Sequence, residues 1–393
     1  MTQEREVIVV GAGPAGATAA TMLAQKGHDV LLLDRQGFPR DKICGDGVPA
    51  GVIKIMNKMG MQAKVLAAEA DGTFNPLTHM RLVSPRGYTL NTPLIHDDGV
   101  NSYVAPRKAL DALIQGHAVE SGAEFLTAQV QEPLLEDGQV VGVRVKMGEN
   151  GRSHSQDLRA RLVIGADGAT SAIARGLRPR QAQHQPEHKA VALRAYIEDI
   201  EEIPHTVEFY LYEDISPGYA WIFNLGGGRA NIGLGMRLDQ FRQTKRRLED
   251  MLKEFMGMPD IKKRIKRGGV LHNLATWPLN FGSQTGLQFA FPGALLVGDA
   301  AGFINPITGG GIHNGMISAE LAAKTAHEAL TAGSVALSQL QVYEQRCRRT
   351  LLPGLHRSHL YQRLLQRFPA LSDFLIRQGG QNSHVAQVFL TKL

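Results

Sequence analysis

The chain has 393 residues, of which 43% are hydrophobic and 20% are charged, and this composition excludes an intrinsically disordered protein. Its formal net charge is +6, but only 6% of its residues are aromatic and they do not interleave with the basic clusters, so we expect no nucleic-acid partner. The two cysteines, Cys44 and Cys347, are too few for a disulfide framework and suit a reducing compartment.

The first predicted elements are a strand, a glycine turn, a helix and a second strand, which together start a parallel α/β sheet. Apolar and β-branched runs predict strands over 6–10 and 29–34, and an Ala-rich run predicts a helix over 15–26. Residues 11–16 have the spacing Gly-x-Gly-x-x-Gly, whose glycines let the backbone approach a pyrophosphate at the helix N-terminus. Asp34 ends the second strand and is placed to accept hydrogen bonds from ribose hydroxyls. These features predict a dinucleotide site that would fit NAD as readily as FAD.

The middle of the chain is predicted to be mostly β-structure. Alternating polarity predicts an antiparallel strand over 80–92, a short strand over 124–130 and another strand over 139–147. A helical apolar pattern covers 106–118, and β-like segments separated by glycine-rich turns cover 190–236.

The last third is predicted to be mainly helical. A charged helix is expected over 241–266, a buried strand over 294–297 and an Ala-rich helix over 312–330. The remainder is expected to be helical, with breaks at Pro353 and Pro369.

Two further glycine turns narrow the choice of dinucleotide. A buried strand over 162–164 runs into the first of them, which contains Asp167. The second turn lies in residues 298–312, where Asp299 is expected to bind ribityl hydroxyls and a glycine triplet opens a helix. The dipole of that helix would stabilise negative charge on the N1/O2 edge of a reduced flavin, so we predict FAD as the cofactor. His313, at the start of this helix, is a candidate proton donor or a packed side chain.

The three motifs, in this order and spacing, resemble the para-hydroxybenzoate hydroxylase-like flavoprotein superfamily. Within it, residues 38–47 resemble the Lys-x-Cys-Gly segment of the geranylgeranyl reductase family, and residues 217–223 resemble its Tyr-x-Trp-x-Phe-Pro motif. The resemblance implies an FAD-dependent oxidoreductase in which hydride passes from flavin N5 to a carbon–carbon double bond of an isoprenoid or similar apolar substrate. It also places Arg107 near the FAD phosphates and the backbone of Val130 at the adenine.

The motifs and the resemblance together give the predicted site residues. Those predicted to bind the cofactor are Gly11, Gly13, Ala15, Gly16, Asp34, Arg35, Cys44, Gly45, Arg107, Val130, Asp167, Gly298, Asp299, Pro306, Gly309, Gly310, Gly311 and Ile312. Those predicted to be catalytic or to line the substrate tunnel are Cys44, Tyr219 and Trp221. No metal is expected, because the histidines lack ligand spacing.

Two positions depart from the pattern of the reductase family. Asn224 stands where Pro is usual and Asp46 where a second Gly is usual, and both are expected on the substrate side. The alternatives are a flavin-dependent monooxygenase (hydroxylase) or a halogenase of a tailoring pathway. Halogenases carry the motif Trp-x-Trp-x-Ile-Pro, from which residues 219–224 of this chain differ, and some halogenases carry Ser at the position of Gly309. A flavin-bearing binding or sensor protein without turnover is the remaining class.

The order of the predicted elements implies a Rossmann-like FAD-binding domain with an inserted antiparallel β-sheet substrate domain and a helical C-terminus. The predicted divisions are 1–75, 103–178 and 278–335 for the FAD-binding domain, 76–102 and 179–277 for the substrate domain, and 336–393 for the C-terminal segment.

The expected partners follow from what the sequence contains. A second Gly-x-Gly-x-x-Gly motif is missing, so we expect NAD(P)H to bind transiently or a partner reductase to supply electrons. The polar N-terminus resembles no secretory signal and no apolar run reaches membrane-span length, so a cytoplasmic location is expected. The basic stretches 242–267 and 346–377 fit a solvated face, an anionic substrate or a peripheral contact with a membrane surface.

Overall fold

The computed structural model describes residues 4–94, 98–149, 152–179, 185–266 and 269–382. The strands are β1 (Arg5–Val10), β2 (Val30–Asp34), β3 (Gly47–Val48), β4 (Asn75–Leu77), β5 (His79–Val83), β6 (Thr89–Pro93), β7 (Ser102–Val104), β8 (Glu124–Thr127), β9 (Gln129–Glu136), β10 (Gln139–Glu149), β11 (Arg152–Gly165), β12 (Lys189–Ile197), β13 (Thr206–Tyr210), β14 (Tyr219–Gly226), β15 (Arg229–Arg237), β16 (Leu271–Asn280), β17 (Ala290–Phe291) and β18 (Ala294–Leu296). The α-helices are α1 (Pro14–Ala24), α2 (Ala50–Lys58), α3 (Gln62–Ala70), α4 (Arg107–Glu120), α5 (Ala172–Leu177), α6 (Leu238–Thr244), α7 (Leu248–Gly257), α8 (Pro259–Lys262), α9 (Gly298–Ala301), α10 (Ile312–Thr331), α11 (Leu337–Thr350), α12 (Leu352–Arg367) and α13 (Ala370–Gln381).

The first large sheet is parallel at its centre. Its strand order is β17-β18-β11-β1-β2-β8, and β1 pairs in parallel with both β11 and β2. Residues 7–9 of β1 and 162–164 of β11 are fully buried, as expected for continuous apolar strands covered on both faces. Helix α1 packs against α4 and α10, and its N-terminus follows directly from the end of β1.

The second large sheet is mainly antiparallel, with the order β16-β12-β15-β14-β13-β5-β6. Helix α7 covers one of its faces with an apolar stripe that includes Leu248, Leu252 and Phe255. Together with the parallel sheet and the C-terminal helices, this sheet confirms the predicted α/β architecture. Of the C-terminal segment, residues 383–393 lie outside the described part of the chain.

Some element boundaries were predicted wrongly, and local backbone geometry gives the reason. The strand expected over 80–92 is the hairpin β5–β6, because Gly87 adopts a φ of 81° and turns the chain. The helix expected over 241–266 is split into α6, α7 and α8, because Lys245 is left-handed and Met258 is extended before Pro259. The strand expected over 124–130 is divided at Ala128, where β8 ends before β9 begins.

Candidate active site

A cavity of about 830 Å³ is lined by residues of both large sheets and of the glycine turns. Every residue predicted from the sequence to bind cofactor or substrate lines this cavity, with Gly16 as the one exception. The motifs that lie between residues 11 and 312 thus meet at a single site, although long segments of sequence separate them.

The first glycine turn forms a cradle at the N-terminus of α1. Gly11 has a φ of 98°, and a Cβ there would lie 2.4 Å from the carbonyl oxygen of Ala166. A Cβ at Gly16 would lie 1.8 Å from the carbonyl oxygen of Gly11, so Gly16 permits the turn itself. At Gly13 the nearest atom to such a Cβ is Nη2 of Arg40, at 3.8 Å. Gly11 and Gly16 therefore shape the turn, whereas Gly13 keeps the cavity open above the helix.

Two helix N-termini border the cavity. Helix α1 begins after Gly13 and helix α10, which is 20 residues long, begins after Gly311. Neither glycine provides a side-chain cap, so the first-turn N–H groups remain available to an anion. The two termini match the two electron-rich parts of FAD, its pyrophosphate and the N1/O2 edge of its ring. The cradle and the paired termini therefore fit FAD.

The predicted acidic residues have different surroundings. Asp34 accepts hydrogen bonds from Ala12 N (3.0 Å), Gln36 N (3.1 Å) and Arg40 Nη2 (3.0 Å), so the chain itself holds this carboxylate. Asp167 accepts from Ser171 Oγ and the N–H of Ala172 at the start of α5, which makes it a helix cap beside the cavity.

Asp299 lies at the second helix terminus. A Cβ at Gly311 would lie 2.9 Å from its Oδ1, so only glycine fits beside it. Burial raises the pKa of the Asp299 carboxyl, and the charges of Lys42 and Arg107 oppose the shift. A carboxyl in this position can accept a hydrogen bond from a ribityl hydroxyl.

A pair of arginines shares one buried carboxylate next to the glycine cradle. Arg107 donates to Asp111 through Nε (2.6 Å) and Nη2 (2.9 Å), and Arg40 donates to the same carboxylate through Nη1 (3.0 Å). Asp111 is completely buried, so it fixes both guanidinium groups. Arg40 was not among the predicted site residues. The sequence shows only that it lies shortly before Cys44, and its pairing with Asp111 depends on the fold.

Cys44 lies in a cationic part of the cavity. Its side chain interacts with the Arg107 guanidinium and with the ammonium of Lys42. The Lys42 Nζ lies 4.0 Å from the ring centroid of Trp277, and burial together with the Arg107 charge lowers its pKa to about 8. Two positive side chains therefore border the thiol.

Tyr219 and Trp221 form the border between the glycine triplet and the second sheet. The Tyr219 hydroxyl donates to the Thr308 carbonyl, and burial raises its pKa. The Trp221 indole N–H donates to Asn231 Oδ1 at 2.8 Å, and its ring packs on Gly233, where a Cβ would lie 2.3 Å from the ring. Because both donors already have partners, these side chains shape the cavity rather than deliver protons.

Part of the remaining wall on the side of the second sheet is apolar, while Arg194 of β12 and Arg237 of β15 also line the cavity. The apolar side chains come from β4, β5, β13 and β14 and from the segment after β6: Leu77, Met80, Leu94, Val207, Phe209 and Phe223. Such a wall suits a hydrocarbon chain, because apolar surface is then removed from water on both partners.

The two departures from the family pattern do not line the cavity. Asn224 is buried in β14, where its Nδ2 donates to the carbonyls of Ile203 and Thr206, both at 2.9 Å. Asp46 is fully buried below the cavity wall. His313 is not a lining residue either, because its imidazole packs against Gly51.

Comparisons with known proteins agree with this geometry. The family model for an FAD binding domain matches residues 4–351. The digeranylgeranylglycerophospholipid reductase of Methanosarcina acetivorans is 32% identical over 352 residues, which are 88% of this chain and 81% of the relative. Reductase 2 of the same name from Methanothermobacter thermautotrophicus is 32% identical, with 99% of this chain and 95% of the relative covered.

Two solved structures have a similar fold. A geranylgeranyl bacteriochlorophyll reductase-like protein from Thermoplasma acidophilum has a TM-score of 0.84 at 26% identity, covering 97% of this chain and 92% of the other. A myxobacterial chondrochloren halogenase, at a TM-score of 0.74 and 23% identity over 88% of this chain and 80% of the other, shares the fold.

The fold and the cavity define an FAD-dependent oxidoreductase. The chain belongs to the geranylgeranyl reductase family of these enzymes. Within the described ranges, no helix combines the length and the apolar character needed to cross a membrane.

Proposed function

We propose that this enzyme reduces carbon–carbon double bonds in the isoprenoid chains of a lipid. The observation that carries the proposal is the apolar wall, formed by residues such as Leu77, Phe209 and Phe223, which continues directly from the FAD cradle. The names of the relatives, digeranylgeranylglycerophospholipid reductases, support a geranylgeranyl chain as the substrate class.

The residues of the chain have separate tasks in this reaction. The N-terminus of α1, with Gly13 and Arg40, would hold the pyrophosphate of FAD, and Asp299 with the N-terminus of α10 would hold its ribityl chain and ring. When bound, FAD supplies the hydride that adds to one carbon of the double bond. The apolar wall orients the alkene and excludes water from it.

The second alkene carbon requires a proton, and we assign it to Sγ of Cys44. Cys44 lines the cavity, and the side chains of Lys42 and Arg107 border its own side chain. Water then returns a proton to the sulfur, so hydride and proton together give the saturated bond.

The first experiment tests the reaction itself. The FAD-loaded enzyme is reduced with limiting dithionite under anaerobic conditions and mixed with a dispersed geranylgeranyl glycerophospholipid. We expect the absorbance of oxidised flavin to return without oxygen, and the lipid to gain one pair of hydrogens per turnover. The saturated lipid serves as the control. A flavin that stays reduced until oxygen is admitted would contradict the proposal and indicate a monooxygenase or a halogenase.

Cys44→Ala is expected to retain FAD and to slow the anaerobic reoxidation by about 100-fold, the usual effect of removing a general acid. Cys44→Ser should recover part of the rate, because it retains a transferable proton. Stopped-flow absorbance measures both rates, and Cys347→Ala, which alters a buried thiol elsewhere, is the control. An unchanged rate in Cys44→Ala would exclude Cys44 as the proton donor.

We also propose that the two large sheets belong to two domains, a cofactor domain formed by 1–75, 103–178 and 278–335 and a substrate domain formed by 76–102 and 179–277.

The electron donor is proposed to be NAD(P)H that binds transiently, or a partner reductase. Glycerophospholipid reduction with NADH or NADPH alone, compared with added ferredoxin, distinguishes the two sources.

A peripheral membrane contact is proposed for the C-terminal helices. Four exposed apolar side chains lie on or beside α12 and α13: Leu360 (66% exposed), Leu364 (42%), Phe368 (53%) and Phe374 (58%). Exposed arginines accompany them: Arg363, Arg367 and Arg377. On the inner face of α12, Gln362 lines the cavity and donates to the Pro306 carbonyl at 2.6 Å, so one helix borders both the cavity and the apolar surface. This combination fits an anionic lipid surface.

The double variant Leu360→Glu/Leu364→Glu is expected to lower binding to phosphatidylglycerol vesicles by about tenfold, because it removes apolar area and adds negative charge. Flotation measures the bound fraction, and added salt should weaken binding of the parent protein. Leu66→Glu, at an exposed leucine of α3, is the matched control. Equal binding of all three proteins would remove this proposal.

A further inference from the structure

Asp46 combines three unusual properties. It follows the Cys44–Gly45 segment, it is fully buried, and its φ is 66°, a left-handed conformation that favours glycine.

The Asp46 carboxylate accepts hydrogen bonds from three elements. Its Oδ2 accepts from the Tyr196 hydroxyl of β12 (2.8 Å) and from Asn231 Nδ2 of β15 (2.8 Å). Its Oδ1 accepts from the backbone N–H of Arg107 at the start of α4 (3.2 Å). All three partners act as donors, so this carboxyl group joins side chains of β12 and β15 to the backbone at the start of α4.

Asn231 extends these bonds to the cavity wall. Its Nδ2 also donates to the carbonyl oxygen of Cys44 at 2.8 Å, and its Oδ1 accepts from the Trp221 indole. A Cβ at Gly45 would lie 3.1 Å from the Phe223 ring, so the segment is pressed against the second sheet. The position of Cys44 is therefore set by side chains of the second sheet.

Hydrogen bonds and a nearby positive charge partly offset the effect of burial on the pKa of Asp46. Burial raises the pKa of this carboxyl to about 6, and its bonds to Asn231 and Tyr196 and the Arg194 charge limit the shift. Arg194 lies over the Tyr196 ring and is paired with Asp41.

We propose that Asp46 is a positioning residue, which holds the Cys44–Gly45 segment on the second sheet and so completes the FAD cavity. Its carboxyl group connects Tyr196, Asn231 and the backbone of Arg107, and Asn231 in turn binds the Cys44 carbonyl. Because burial raises the pKa of this carboxyl above its unfolded value, its ionisation lowers the stability of the fold as the pH rises toward about 6. The positioning role therefore depends on the hydrogen bonds and not on the titration, and it does not depend on which alkene is reduced.

The test uses Asp46→Asn, since Asn tolerates a positive φ and has the same shape but offers a donor where Oδ2 accepts. At pH 8 we expect FAD to bind about tenfold more weakly and Cys44 to react about tenfold faster with iodoacetamide. Fully buried Cys347 is the internal reference, and mass spectrometry separates the two sites.

Tyr196→Phe provides an independent readout. It removes one donor to Oδ2 and leaves the bond from Asn231 to the Cys44 carbonyl, so we expect a smaller loss of FAD affinity and a smaller gain in Cys44 reactivity than in Asp46→Asn. Because both changes act on the same hydrogen bond, the effects in the double variant should fall short of the sum of the two single effects, whereas unconnected structural losses would add. The proposal is overturned if Asp46→Asn leaves FAD affinity and Cys44 reactivity unchanged at pH 8, or if the effects of the two single variants simply add.

Discussion

Gly13→Val is expected to weaken FAD binding by at least about 100-fold while the apoprotein stays folded. Gly13 has a φ of −69°, which any residue adopts, and the nearest atom to a new Cβ is 3.8 Å away. The added methyl groups would occupy the cavity at the N-terminus of α1, where we propose that the pyrophosphate lies.

Flavin fluorescence titration measures the affinity, and thermal unfolding of the apoprotein measures stability. Gly354→Ala is the matched control, because a Cβ there meets no atom within 4 Å. If Gly13→Val bound FAD as tightly as the parent, the pyrophosphate would not lie at this turn.

Arg107→Met is expected to lower the free energy of unfolding by about 3 kcal/mol and to abolish FAD binding. The substitution leaves Asp111 buried with Arg40 as its remaining charged partner, and breaking a buried ion pair from one side costs roughly 3–5 kcal/mol. The loss of FAD follows because Arg107 also borders Cys44 and Asp299 in the cavity.

Arg264→Met separates stability from cofactor binding. Arg264 forms a two-point ion pair with the completely buried Glu208 in the second sheet, with both distances at 2.8 Å, and it does not line the cavity. We expect a similar loss of stability in urea unfolding with FAD affinity retained. If both variants bound FAD equally, Arg107 would be a structural residue alone.

The sequence predicted the fold class because its strongest signals are local. The apolar run before Gly11, the glycine turn and the Ala-rich helix after it specify a strand–turn–helix unit without reference to the rest of the chain. The element boundaries were predicted wrongly where single residues end an element, as at Lys245 and Gly87. The apolar pattern of the sequence continues across these positions, but their positive φ ends the helix or the strand.

The site was predicted in part for the same reason. Glycine turns are recognisable from the spacing of their glycines, and the predicted site residues at these turns line the cavity apart from Gly16. Arg40 was missed, because its function depends on Asp111, which lies 71 positions away. The cavity position of Tyr219 and Trp221 was predicted from the sequence, but the hydrogen-bond partners that occupy their donors were not.

By itself, the sequence determined the cofactor class and the turns that cradle it, since a backbone that approaches phosphate needs glycine at fixed spacing. Only the tertiary structure decided what surrounds Cys44. Asp46 meets Tyr196 and Asn231 across 150 and 185 positions of sequence, and no local pattern encodes such a meeting. These contacts are important because a carboxylate buried away from water is destabilising unless it is hydrogen-bonded, and its donors come from whichever elements pack beside it.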